Sequence, residues 1–314
     1  MKIVFFGNPH FSIPTLRALH DSNHQVVSVI TNPKQKMGRG LKWNSTPVKL
    51  FCEKNNIPFN SFKKFNKEAY DYLDSLKADL FVVVAFKILP EKIINIPSFG
   101  SINLHPSILP KYRGSSPIQH ALLNGDSKSG ITIFKLNQKV DSGDIVLQEE
   151  CLIDSKIIFS DLYNKMAEFG AELLLKAVGL IELGQFQYIP QSEEKVSYAP
   201  KIQSLDCKIN WNNNSRKINN QIRAFSNIPG AYSFIKISEK NNKKIKLFGS
   251  NIEYSYLESI EPGECIFYDG KILIGTIDYP VAIDKFQIEG KNVITSKDFS
   301  NMNLFADNKE ILFE

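Results

Sequence analysis

The sequence lacks the motifs on which most cofactor-dependent enzyme classes rely. It contains no GxxxxGK[ST] phosphate loop and no GxSxG nucleophile elbow. Gly7 is followed by Asn8, Pro9 and His10, so the GxGxxG dinucleotide fingerprint fails. No cluster of His, Cys and Asp has the spacing of metal ligands. These absences argue against an NTPase, an oxidoreductase and a zinc hydrolase, and we expect no bound metal.

Cysteines and long apolar runs are also scarce. The four cysteines lie far apart and form no CxxC pair, so a disulfide framework or a zinc site is a poor interpretation. Isolated thiols suit a reducing cytoplasm, where we expect the protein to work. No apolar run approaches the roughly 20 residues that a membrane helix needs, so we expect no membrane partner. Residues 2–6 lack a following small-residue cleavage site and are interpreted as a core strand, not a signal peptide.

What the chain does have is an ordinary globular composition with uneven charge. Its 314 residues exceed what one hydrophobic core usually serves, which predicts two domains. The net charge is +5, but residues 201–250 hold ten Lys or Arg against two Asp or Glu, and residues 251–314 hold five against twelve. Residues 31–49 hold five basic residues and no acidic one. Two basic segments indicate an anionic partner, with a solvated lysine-rich surface as the alternative.

The order of the apolar runs in the first half predicts an α/β fold. A strand–helix–strand opening is typical of a Rossmann-like, doubly wound, mostly parallel sheet. Six runs are predicted as its strands: residues 2–6, 25–30, 79–85, 98–104, 131–136 and 145–150. Helices are predicted at 13–20, directly after Pro117, and at 159–182 with Ser160 as its cap. Sheets of this kind bind ligands beyond the carboxyl ends of their strands.

The pattern changes after the long predicted helix. Residues 190–205 show no periodicity and contain Pro190 and Pro200, so we place a linker there. Beyond it, short alternating runs separated by turns are typical of a small antiparallel barrel or sandwich. The predicted organisation is a catalytic domain at 1–189, the linker, and a smaller OB-like β-barrel domain at 206–314.

The most informative segment follows the strand at 98–104. Asn103 and His105 are two residues apart, and in a strand this spacing puts both side chains on one face. An amide donor for an oxyanion and a base that titrates near neutral pH are what acyl transfer to an amine needs. Asp141, in the turn after the next strand, could orient His105. A satisfied core histidine and a turn-capping aspartate are the alternatives.

Together these residues resemble the signature of the 10-formyltetrahydrofolate-dependent formyltransferases. The resemblance implies that Asn103, His105 and Asp141 are the catalytic residues. It also implies that the segment Ser107-Ile108-Leu109-Pro110 contributes to the folate pocket. The co-substrate would then be 10-formyltetrahydrofolate, a reduced folate, and its formyl group would pass to an amine.

Further segments resemble the branch of this family that formylates methionine on initiator tRNA. They are Phe6–Phe11, Gly38-Arg39-Gly40, Arg113-Gly114, Pro117-Ile118-Gln119, Tyr198–Ile202, Ile209-Asn210-Trp211, Ile222-Arg223-Ala224 and Pro229-Gly230-Ala231. The resemblance implies that initiator methionyl-tRNA is the partner, and that Arg39, Lys36 and Lys42 meet its acceptor end. It also assigns tRNA binding to the domain at 206–314. We expect a monomer, because no heptad seam is present.

Several other interpretations remain at this point. A formyltransferase acting on the amino sugar of a nucleotide sugar would share the three catalytic residues but would not need the basic residues at 31–49. A purine-pathway formyltransferase typically has one domain, and a folate-hydrolysing relative has no need of a basic C-terminal segment. A non-catalytic tRNA-binding module is disfavoured by the intact Asn103, His105 and Asp141.

Overall fold

The computed structural model describes residues 1–37, 42–238, 241–302 and 311–314, with the backbone alone at 36–37, 42, 236–238 and 241. The chain forms two compact units. The first comprises Met1–Pro117, Lys128–Leu152 and Tyr163–Ala199, and the second comprises Ile118–Ser127, Ile153–Leu162 and Pro200–Glu314. The domain boundaries inferred from sequence, at 1–189, 190–205 and 206–314, stay a prediction.

The first unit is built around a parallel-rich sheet. Its described residues form strands β1 (Lys2–Gly7), β2 (Gln25–Ile30), β3 (Gln35–Met37), β4 (Lys42–Asn44), β5 (Phe59–Asn60), β6 (Leu80–Val84), β7 (Ser101–His105), β8 (Lys128–Lys135) and β9 (Ile145–Leu152). Seven of them form one sheet in the order β5-β2-β1-β6-β7-β8-β9, and β3 pairs with β4 separately. The first five strands of that order run parallel, whereas β8 and β9 are antiparallel. The prediction of a mostly parallel Rossmann-like sheet is confirmed.

The described part of residues 1–199 also contains six α-helices. They are α1 (Ile13–His20), α2 (Pro47–Asn55), α3 (Lys67–Ser75), α4 (Glu91–Ile94), α5 (Pro117–Asn124) and α6 (Phe159–Glu182). Helix α5 beyond Pro117 and the first turn of α6 belong to the second unit. Helix α2 begins where the Thr46 side chain accepts a hydrogen bond from the Lys49 N–H. The predicted cap of α6 is wrong: the Ile158 carbonyl already accepts helical hydrogen bonds, so Ser160 lies inside the first turn. None of the described helices has the length and apolarity to cross a bilayer.

The core of the first unit explains why its central strands are continuous apolar runs. Strand β6 is buried along its whole length, as are the residues of β1 after Lys2. Strands covered on both faces have no polar side to present to solvent. On one face Phe6 and Phe81 pack with Ala69 and Leu73 of α3 in a single apolar cluster. This packing fixes the sheet whose strand ends carry the predicted site.

The second unit contains an antiparallel sheet. Its elements are α7 (Ser215–Phe225), β10 (Ala231–Ser238), β11 (Asn241–Ile252), β12 (Glu264–Tyr268), β13 (Lys271–Ile274), β14 (Val281–Ile288), β15 (Ile294–Thr295), α8 (Ser296–Ser300) and β16 (Ile311–Leu312). The strand order is β10-β11-β14-β13-β12-β16, with β15 added at β14. The predicted antiparallel character is confirmed. Because this strand path is open, the OB-like barrel remains a proposal.

The packing of α3 gives a test of the first core. Leu73 is fully buried, whereas Leu50 on α2 is 56% exposed. We expect Leu73→Ala to destabilise the first unit by about 2–5 kcal/mol, because it leaves a cavity in the cluster. The matched change Leu50→Ala should stay within about 0.5 kcal/mol. Urea unfolding followed by circular dichroism checks both, and equal midpoints for the two variants would contradict this core.

Candidate functional site

The predicted site lies at the carboxyl end of the central strands. Asn103 and His105 both belong to β7, and His105 is its last residue. Their neighbours on β8 are Phe134 and Thr132, which fixes the register of the pair. Side chains two residues apart in a strand project from one face. The sequence prediction that these two groups share a face therefore agrees with the strand assignment.

His105 is held between two oxygen acceptors. Its ring is 4% exposed, and its Nε2 lies 2.9 Å from the backbone oxygen of Tyr112. A carbonyl oxygen only accepts, so we assign the proton to Nε2. Nδ1 then faces the other side, where Oδ2 of Asp141 lies 3.7 Å away. In a neutral ring Nδ1 is the nitrogen that can take up a proton.

Asp141 reaches His105 from the turn between β8 and β9. Its backbone has φ of 49°, in the left-handed region that non-glycine residues rarely adopt. Its Oδ2 accepts a hydrogen bond of 2.8 Å from the backbone N–H of Gly114, and the side chain is 15% exposed. The structure thus brings a largely buried carboxylate to the histidine, as the sequence predicted.

The protonation of His105 is set by opposing effects. Burial lowers the pKa of the ring below its ordinary value because a charged imidazolium loses solvation. The charge of Asp141 and the hydrogen bond to the Tyr112 carbonyl act the other way and raise the pKa. The net pKa is lowered, so the ring is neutral at neutral pH. Once it gains a proton, both N–H groups face acceptors.

A cavity of about 90 Å³ opens beside this trio. Asn103 and Asp141 both line it, together with residues of the loop at 86–89 and of the segment at 136–141. The loop at 86–89 was not among the predicted site residues, although its position directly after the fully buried strand β6 was a usable signal. Within the loop, the Lys87 Nζ donates to the Phe62 carbonyl at 2.7 Å, and burial lowers the pKa of Lys87.

The segment at 107–110, which is predicted to contribute to the folate pocket, is hydrogen-bonded to its own loop and to strands β8 and β9. The Ser107 hydroxyl donates to the Lys111 carbonyl at 2.6 Å. The Leu109 N–H donates to the Thr132 hydroxyl, and the Leu109 carbonyl accepts from the Gln148 amide. These bonds anchor the loop to β8 and β9. Ser107, Ile108, Leu109 and Pro110 are absent from the lining of the 90 Å³ cavity, and their folate-binding role stays a prediction.

The predicted tRNA contacts fall partly outside the described residues. Arg39 lies outside them, and Lys36 and Lys42 are described only through the backbone pairing of β3 with β4. A second cavity of about 630 Å³ borders this hairpin and is lined by Gln35, Asn44 and Asn8. The Asn8 Oδ1 accepts hydrogen bonds from Asn32 and Thr31, which leaves the Asn8 NH₂ without a hydrogen bond among the described residues.

Metal ligation finds no support in the part of the chain that the structure describes. There, no three His, Cys, Asp or Glu side chains are grouped to hold a metal ion. The four cysteines are free thiols. Burial raises the pKa of Cys52 to about 12 and also raises that of Cys151 and Cys207, which favours the protonated thiol in all three at neutral pH.

Two family descriptions match nearly the whole sequence. "Formyl transferase" matches residues 1–178, and "Formyl transferase, C-terminal domain" matches residues 201–304. The chain is 38% identical over 305 residues to a protein of Carboxydothermus hydrogenoformans, a match covering 96% of both chains. It is 36% identical over 310 residues to a protein of Thermotoga maritima, covering 98% of this chain and 97% of the other. Both relatives are named methionyl-tRNA formyltransferase.

Solved structures share the fold at lower identity. An N-formyltransferase from Helicobacter canadensis, in complex with folinic acid and dTDP-3-aminofucose, matches with a TM-score of 0.67 at 23% identity, over 90% of this chain and 98% of the other. HypX from Aquifex aeolicus in complex with tetrahydrofolic acid matches with a TM-score of 0.65 at 18% identity, over 98% of this chain and 48% of the other. By its family descriptions and by relatives that match almost end to end, the chain belongs to the formyl transferase family, among the methionyl-tRNA formyltransferases.

Proposed function

We propose that the protein transfers the formyl group of 10-formyltetrahydrofolate to the α-amino group of methionine on initiator methionyl-tRNA. The observation that carries the proposal is the buried His105 held between the Tyr112 carbonyl and Asp141, with Asn103 and Asp141 lining one cavity. The kinship to methionyl-tRNA formyltransferases supports the choice of donor and acceptor.

The three side chains divide the chemistry of acyl transfer. The amine attacks the formyl carbon, and negative charge builds on the formyl oxygen, where the Asn103 amide donates a hydrogen bond. His105 accepts the proton that the amine loses. Asp141 stabilises the resulting imidazolium, whose second N–H remains bonded to the Tyr112 carbonyl. The reduced folate supplies the activated one-carbon group. The bond from the formyl carbon to the donor nitrogen of the folate would then break, and His105 would return its proton to that nitrogen, so that tetrahydrofolate leaves.

The residues that line the 90 Å³ cavity are chemically suited to contact the ring of a reduced folate. The side chains of Phe86, Ile88 and Leu89 are apolar, and an aromatic heterocycle needs such surfaces with a few polar groups for orientation. A ring bound there would present its one-carbon group to Asn103. The segment Ser107-Ile108-Leu109-Pro110 would contribute to this pocket by holding the loop after β7 in place.

The formyl acceptor, methionyl-tRNA, would bind at the same edge of the sheet, beyond the end of β1. Strands β1 and β7 flank β6, so Asn8 after β1 lies about 10 Å from the end of β7, at two strand spacings. The 630 Å³ cavity at Asn8 borders the β3–β4 hairpin that carries Lys36 and Lys42. These lysines and Arg39 would neutralise phosphates at the acceptor end of the tRNA.

The second unit supports a further contact with tRNA. On one face of β10 and β11, Lys244 Nζ lies 3.5 Å from the centre of the Tyr232 ring. Lys208, from the segment before α7, places its Nζ 5.5 Å from the centre of the Phe234 ring. Basic groups interleaved with aromatic rings are typical of nucleic-acid surfaces. The N–H and carbonyl of Phe234 also bond to Glu314 at the end of the chain, which favours an OB-like barrel in the domain at 206–314. We propose that the enzyme acts as a cytoplasmic monomer.

The reaction is tested by formyl transfer from 10-formyltetrahydrofolate to methionine-charged initiator tRNA, with a 4-amino nucleotide sugar as the parallel acceptor. Asn103→Ala should lower kcat by about 10²–10³, the usual cost of losing one oxyanion donor. The exposed Asn55→Ala on α2 is the matched control and should keep the wild-type rate. Transfer to the sugar alone would discard the tRNA acceptor, and full activity of Asn103→Ala would discard the role of Asn103.

Replacing Asp141 by Asn should shift the titration of His105. The Asp141 charge raises the His105 pKa against the lowering effect of burial, so removing the charge lowers the pKa further. In NMR spectra of protein labelled at its five histidines, the His105 signal should titrate at lower pH in Asp141→Asn, while kcat falls. His105→Gln identifies the signal. A midpoint that stays fixed or rises would contradict the assigned electrostatic role.

Arg39→Ala should weaken the use of charged tRNA and leave folate binding intact, because a phosphate contact gives affinity without touching the donor pocket. The KM for methionyl-tRNA should rise, and its dependence on salt should become shallower. Folate affinity, measured by fluorescence titration, should not change. The control Lys77→Ala removes an exposed positive charge from the turn after α3. Equal losses in tRNA use and folate affinity would contradict the prediction for Arg39.

A further inference from the structure

The turn that carries Asp141 is held by one side chain from a distant part of the chain. The Gln191 Nε2 donates to the backbone oxygen of Asp141 at 3.0 Å and to that of Gly143 at 2.7 Å. Two carbonyls of the same turn therefore share one amide group. This matters because Asp141 adopts φ of 49°, a conformation that costs a non-glycine residue free energy, which hydrogen bonds to the turn help to offset.

The orientation of the Gln191 amide is itself fixed. Its Oε1 accepts hydrogen bonds from Nε and Nη2 of Arg113, at 3.1 and 2.8 Å. Arg113 is 6% exposed and cannot accept, so the oxygen of Gln191 must face it and the NH₂ must face the turn. The remaining guanidinium contacts go to Glu193, whose carboxylate lies 2.9 Å from Nη2. The hydrogen bond from Arg113 lowers the pKa of Glu193, which keeps this partner charged.

The same segment also holds the second partner of His105. The Tyr112 N–H donates to the Ser197 hydroxyl at 2.9 Å, and the N–H and carbonyl of Arg113 bond to the backbone of Ser197 and Ala199. Tyr112 is the residue whose carbonyl accepts from His105. Residues 191–199 thus anchor both groups between which the histidine lies.

We propose that Gln191 is a positioning residue for the reaction: through the carbonyls of Asp141 and Gly143 it holds the carboxylate of Asp141 toward His105, and Arg113 sets the direction of its amide. This inference rests on the proposed function, since it takes Asp141 and His105 as reacting groups. Gln191 itself lies outside the lining of the 90 Å³ cavity, so its action is indirect.

The inference predicts a defect of a particular kind in Gln191→Met, which keeps the size and neutrality of the side chain but has no N–H. With the turn released, kcat should fall about tenfold to hundredfold, the cost of a displacement near 1 Å at a reacting group. The KM for methionyl-tRNA should change little. Asp141 is the charged group that acts on His105, from the β8–β9 turn, and the Tyr112 carbonyl acts from the loop after β7. A displaced Asp141 should therefore move the NMR titration of His105 to lower pH, in the direction of Asp141→Asn.

Two further variants make the test decisive. Gln191→Ala removes the same hydrogen bonds and should reproduce both effects. Gln185→Ala changes an exposed glutamine of the same unit whose side chain makes no hydrogen bond within the described residues, and it should leave rate and titration unchanged. A wild-type kcat in Gln191→Met overturns the inference, and so does a lower kcat with an unmoved His105 titration, which would indicate a merely structural role. If His105→Gln also kept full activity, the proposed catalytic site would fail instead.

Discussion

The structure of the site depends on one buried ring with an acceptor on each side. His105 is almost fully buried, and burial alone disfavours its charged form. The Tyr112 carbonyl and the Asp141 carboxylate face its two nitrogens, so the protonated ring is better partnered than the neutral one. A base arranged in this way is neutral when it is needed and is stabilised after it has reacted. The loops around β7 can be understood as the means of keeping these two acceptors in place.

Two glycines allow the Asp141 carboxylate to approach His105. A side-chain carbon at Gly143 would collide with the Lys135 carbonyl, so the turn that carries Asp141 can close onto β8 only without one. Gly114, whose N–H bonds to Asp141, has φ of 127° and lies against the Ala199 carbonyl. Both contacts are between backbone atoms, which cannot move aside as a side chain can. The position of the carboxylate is therefore determined by close backbone packing as well as by hydrogen bonds.

The sequence predicted the parts of this arrangement that follow from periodicity. The apolar runs identified the central strands, and the spacing of Asn103 and His105 identified their shared face, because both depend on local geometry. The contact of Asp141 with Gly114 depends on a positive φ and on long-range packing, and no pattern reports either. The direction of the loop at 86–89 is set in a similar way, because Ala85 leaves β6 with φ of 49°, although the place of the loop after a buried strand could have been read from the sequence.

The segment after α6 shows why an aperiodic stretch need not be a passive connection. The lack of a hydrophobic period and the two prolines predict a linker at residues 190–205. Absence of a period excludes a regular helix or strand face, but the backbone groups of such a stretch must still find partners. Here Ser197 and Ala199 find theirs on Arg113, beside the loop that carries the Tyr112 carbonyl. An aperiodic segment can therefore determine the position of a loop at the site, through backbone hydrogen bonds that no side-chain period reports.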